Sequence, residues 1–118
     1  MSPRRGDRVA PPPVHPEWDV IFGTNDAAKG WSDLCVQAPG PTRTAYLAMR
    51  DNPTPAPTER HHRLKGSLAN GGYSGSKWLL PQWQIEVTGG GRIWYLVDDA
   101  AHKVIVMYAG TRHPKQTD

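Results

Sequence analysis

The sequence predicts an α+β domain in which a helical hairpin packs on an antiparallel sheet, with elements in the order β-α-α-β-β-β. Three observations predict it. Apolar residues between Ala27 and Met49 recur at helical spacing on both sides of a proline-glycine break. Three later segments have strand length and composition and are joined by short turns, which implies antiparallel hairpins. A further strand-forming run, Trp18 to Phe22, stands ahead of the helices and ends at Gly23.

Each element has its own justification. Residues 1–16 hold prolines and charges with almost no bulky apolar group, so they read as a disordered arm ahead of one domain over 17–118. Thr24 offers a helix N-cap, with Asp26 in the first turn. Ala27, Trp31, Leu34, Cys35 and Ala38 then share one helical face, which places the Cys35 thiol in the core. Pro39-Gly40 stops that helix, and Pro41 suits the first turn of a second one. The second helix turns Ala45, Tyr46 and Met49 inward and ends at Asn52-Pro53. Pro53, Pro55 and Pro57 make an extended connector. The closing strands are Trp83–Val87, Arg92–Val97 and Val104–Ala109. In the middle one Arg92, Trp94 and Leu96 face one way, while Ile93, Tyr95 and Val97 face the other. Tyr95 reads as half-buried core.

Composition narrows the function. The net charge is +3, a mild excess that does not by itself identify a nucleic-acid binder. It is unevenly placed. Residues before Glu59 balance six basic against six acidic side chains, whereas Glu59 onward carries eight basic, five acidic and four of the five histidines. One cysteine excludes an intrachain disulfide and fits a reducing compartment. No apolar run approaches the ~20 residues that cross a bilayer, and no apolar segment follows Arg4-Arg5 as an export signal requires. A cytoplasmic protein without a membrane partner is expected.

Three motifs, "RLKGSL" at Arg63–Leu68, "WQIEVTGGGRIWYLV" at Trp83–Val97 and "YAGTRHPK" at Tyr108–Lys115, occur in an order that resembles the RelE/ParE superfamily of type II toxins. The mRNA-interferase branch is the nearer likeness, and the resemblance runs from Trp18 to the C-terminus. It implies the RelE-like fold and a ribosome-dependent endoribonuclease that cuts mRNA in the ribosomal decoding site. It also implies a cognate antitoxin that covers the basic face. The ParE branch, which inhibits DNA gyrase without nuclease residues, is the alternative. A non-catalytic single-stranded nucleic-acid binder using Trp78, Trp83 and the basic loop is another.

Metal-free RNA cleavage uses the 2′-hydroxyl as nucleophile and needs a base, an acid and cations around the phosphorane. Arg92 can fork two donors onto a phosphate, and Lys65 and Arg112 add further positive charge. His113 is the candidate acid. By the resemblance, His62 falls where some relatives carry an acidic base, and it is the candidate base here. Arg60, Arg63 and Lys115 are expected to touch the RNA backbone. Glu86, where several relatives carry lysine, acts either as the base or as a partner of Arg92. No cofactor is expected. The His61-His62 pair lacks neighbouring cysteines, so no metal is expected either.

Overall fold

The computed structural model describes residues 3–74 and 77–114. Strand β1 (Asp19–Phe22) leads into helices α1 (Asn25–Gln37) and α2 (Pro39–Asp51). Two short strands follow, β2 (His61–Arg63) and β3 (Asn70–Gly71), then the long strands β4 (Leu80–Glu86), β5 (Arg92–Asp98) and β6 (Lys103–Gly110). The path across the sheet is β1-β6-β5-β4-β2, with β3 also pairing to β4.

The sequence reading expected an antiparallel sheet; instead β1 runs parallel to β6, with Asp19 level with Lys103 and Phe22 with Val106. A two-helix crossover follows β1, and parallel partners need a long connection of that kind. The strands β2 and β3 are also additional. At three and two residues they are too short for an alternating pattern to announce them.

Thr24 caps α1 as expected, its hydroxyl accepting from the Ala27 N–H at 2.9 Å. Pro39 starts α2 rather than merely stopping α1. Ala38 serves both helices, its N–H closing α1 on the Leu34 carbonyl while its own carbonyl accepts from Thr42. The buried Thr42 hydroxyl also donates to Leu34 O at 3.1 Å, locking the two helices.

The helices cover one sheet face. Ala27, Ala28, Leu34, Ala45 and Met49 meet Phe22, Ile85, Ile93, Tyr95, Val97, Val104 and Val106. Trp31 is half-buried between the rings of Phe22 and Tyr46. On the opposite face Leu96, Ile105 and Ile21 form a smaller cluster under Tyr73, Leu80 and Met107. The expected alternation in β5 therefore holds, except that both faces are buried and Tyr95 is fully so.

Cys35 is exposed, contrary to the sequence reading. The reason is Gly30, which brings α1 against the backbone of β6: a Cβ there would overlap the Ala109 carbonyl oxygen. The contact line therefore runs through Ala27, Gly30 and Leu34, and Cys35, one residue further round, falls outside it.

The N-terminal arm is laid along β1 rather than free of the domain. Gly6 N–H donates to Phe22 O at 2.8 Å, Phe22 N–H to Asp7 O at 3.0 Å and Val9 N–H to Val20 O at 2.8 Å. Arg8 pairs with Asp19 at 3.1 Å. The outer edge of β1 offers backbone donors and acceptors that the arm satisfies, and composition does not reveal such pairing.

Gly30→Ala is expected to lower stability by about 3 kcal/mol despite the better helix propensity of alanine, since α1 must lift from β6. Chemical denaturation followed by circular dichroism measures this. An unchanged midpoint would remove the close approach as a constraint.

Candidate nucleic-acid site

Arg92 is drawn into its own turn. Its Nη1 donates to the carbonyls of Thr88, Gly89 and Gly91 at 3.0, 3.2 and 3.0 Å. Its Nη2 lies 3.4 Å from Glu86 Oε2, and the side chain is only 11 % exposed. The Nε is buried without a hydrogen-bond partner. Gly91 leaves room for this arrangement, since a Cβ there would crowd the Thr88 hydroxyl and Leu34 and make their side chains shift. The guanidinium therefore closes the β4–β5 turn from within, with Nη1 spent on carbonyls and Nη2 turned to Glu86 instead of facing outward. Of the two roles open to Glu86, the geometry carries the partner role. It bridges Arg92 and the largely exposed Arg60, whose Nε is 3.5 Å from Oε1.

Arg112 and His113 follow β6 at this same end, two and three residues past Gly110, which pairs with Arg92. The Tyr108 hydroxyl donates to Arg112 O at 2.6 Å and fixes that bend. Arg112 shares a shallow depression with Asp26, Lys29 and Asp33 of α1. His113 is exposed, with Nδ1 directed at Pro114 O at 3.1 Å. Lys115 lies outside the described residues.

Lys65 is elsewhere. Leu64 N–H donates to Gln82 O, which is four residues from Glu86, so Lys65 stands near the start of β4. At about 3.3 Å per residue that is roughly 13 Å along the strand from the Arg92 end. Sequence reasoning grouped these residues because the motifs follow in order. The antiparallel register separates them.

Lys65 has different company. Glu59, His62, Arg63 and Lys65 line one open groove of about 820 Å³ with Pro57, Thr58 and Leu64. Strand β2 explains the grouping. His61 pairs opposite Ile85 and turns toward the core, so His62, opposite Gln84, turns away from it. Nδ1 of His62 lies 3.0 Å from the Arg63 carbonyl oxygen. A carbonyl only accepts, so Nδ1 carries the proton and the neutral ring keeps its lone pair on Nε2. Arg63 Nη2 reaches Ala69 O at 3.2 Å and Asn70 Oδ1 at 3.0 Å, clamping the loop that carries Lys65. Gly66 supplies the left-handed bend of that loop with φ +60°. Glu59 also lines the groove; the sequence reading weighed it only as part of the charged run Glu59–Arg63, as solvated surface or substrate contact, and gave it no role of its own.

His61 anchors β2 from behind. The Tyr95 hydroxyl donates to the buried Pro53 carbonyl at 2.6 Å, so the His61 Nε2–H donates to the Tyr95 oxygen. Burial lowers the His61 pKa, and the neighbouring His62 lowers it further. Burial pushes the Tyr95 phenol up.

No group of metal-ligating side chains occurs among the described residues, and none of their helices is long and apolar enough to cross a membrane. A scan against protein-family models finds no match, and neither curated proteins nor solved structures match this chain.

Two outcomes follow from this geometry. Arg92→Lys should cost about 2 kcal/mol, because one ammonium cannot reach three carbonyls and Glu86 together. The unfolding midpoint measures it, and wild-type stability would show the clamp to be idle. The second concerns pH. A lowered folded-state pKa for His61 means the unfolded chain binds the proton more readily, so this contribution is intact above the ordinary imidazole value of 6.5 and declines as pH falls below it. His61→Gln should flatten the stability profile between about pH 6.5 and 5. An unaltered slope would assign the acid sensitivity to other groups.

Proposed function

We propose that this chain is a RelE/ParE-like toxin that cleaves mRNA at the ribosomal decoding site by metal-independent transesterification. It works in the cytoplasm and is neutralised by a cognate antitoxin. The observation that carries the reading is the groove uniting His62, Arg63 and Lys65, a base and two cations beside an open channel. The order of the helical hairpin and the strands around it supports the same reading.

In this mechanism the 2′-oxygen attacks the adjacent phosphorus while His62 Nε2 takes its proton. The Lys65 ammonium stabilises the phosphorane and protonates the departing 5′-oxygen as the P–O5′ bond breaks, leaving a 2′,3′-cyclic phosphate. Arg63 holds the loop at the right depth and adds positive charge. Arg60, Arg112 and His113 sit on the far end of the sheet and contribute affinity for the surrounding RNA backbone. Arg92 acts through the fold and not on the phosphate.

Expression in a bacterial host should arrest growth, with primer extension mapping cuts in messages only when ribosomes are present. His62→Ala and Lys65→Ala should each reduce the cuts by about 10²- to 10⁴-fold while leaving the unfolding midpoint near that of the unaltered chain. Cuts that survive both substitutions would overturn the site. Arrest with a DNA-damage response and intact mRNA would assign gyrase inhibition instead. Salt-sensitive RNA binding without arrest would make the chain a binder.

A further inference from the structure

We infer a second binding site, independent of the RNA groove, for a partner polypeptide segment that pairs an aliphatic side chain with lysine or arginine. It lies where the segment entering β4 meets the β5–β6 turn. Lys77, Trp78, Leu80 and Pro81 form one wall of a groove of about 500 Å³, and Val97, Asp98 and Asp99 with two alanines form the other.

Exposure and charge point to the occupant. Trp78 and Leu79 are adjacent in sequence and 76 % and 73 % exposed, and they are two of only four large apolar side chains so exposed among the described residues. Consecutive exposed apolar groups beside an apolar groove mark a contact surface. Tryptophan and leucine can supply its anchors, as a buried aromatic does at other interfaces. The charge is opposite to that of the RNA groove. Within the groove lining Asp98 and Asp99 outnumber the one cation, Lys77, while Lys103 stands level with Asp98 on the neighbouring strand, in a chain whose overall charge is positive. Asp98 is engaged by the Tyr73 hydroxyl at 3.4 Å and by Ala101 N–H, which holds its carboxylate in place at the turn. Asp99 is exposed at the rim. Two carboxylates repel a phosphate backbone and attract a basic side chain, so the groove selects a basic, aliphatic peptide over nucleic acid.

The test uses the full chain and defined probes. A twelve-residue peptide of alternating leucine and lysine, the same peptide with glutamate for lysine, and a twelve-nucleotide oligouridylate are each titrated by calorimetry. The basic peptide should bind and the acidic one should not. Trp78→Ala and Asp99→Asn should each weaken the basic peptide by roughly tenfold, with Trp78→Phe restoring most of the loss. Both positions are exposed, and the unfolding midpoint of each variant separates a loss of binding from a loss of fold. Equal affinity for the two peptides, or indifference to Asp99→Asn, would overturn the proposal. Oligouridylate binding that Trp78→Ala abolishes would also overturn it, assigning the aromatic to nucleic acid. None of these outcomes depends on RNA cleavage, so this site and the His62 groove succeed or fail separately.

Discussion

The Tyr95 hydroxyl is the point on which the arrangement of the candidate site turns. It sits on the central strand β5, fully buried, and is bound on two sides: it donates to the Pro53 carbonyl at the exit of α2 and accepts from His61 on β2. Three segments remote in sequence are thereby held at one buried atom. A hydroxyl in such surroundings has to be satisfied or it destabilises the fold, so the proline connector and β2 have little freedom to drift. Strand alternation does the rest. Fixing His61 inward fixes His62 outward, and the groove follows from that parity.

The arginines divide by what has already taken their donors. Arg92 meets three carbonyls and a carboxylate and is nearly covered, whereas Arg60 shares the same carboxylate from a position largely open to solvent. Arg63 lies between these cases, holding two acceptors in the Lys65 loop while remaining exposed. Positive charge in the C-terminal half is thus partly structural. A count of basic residues overstates the charge free to meet a phosphate.

Much of the fold was legible in the sequence because its signals are local. Thr24 caps α1, the inner faces of both helices are populated by Ala27, Leu34, Ala45 and Met49, and β4, β5 and β6 occur within a few residues of their expected bounds. What escaped depends on distant partners. The parallel pairing of β1, the outward turn of Cys35 and the attachment of the arm are set by β6 and by the close approach at Gly30, which no window of sequence contains. The site was legible in residue type and not in grouping. His62, Arg63 and Lys65 share one short segment and come together. Arg92 was expected beside them, but register places it at the other end of β4, where it is occupied by its own turn.

The arm on β1 has a consequence for how molecules of this protein meet one another. A six-stranded sheet has two lateral borders, and each is a template on which a foreign strand can add. At one border β2 is only three residues long and gives way at once to a clamped loop. At the other, β1 carries Val20, Ile21 and Phe22, a run well suited to pairing with a copy of itself, and residues 6–9 already occupy its hydrogen-bonding edge. A proline-rich, charged segment that looks dispensable in sequence thus guards the border most open to strand-to-strand aggregation.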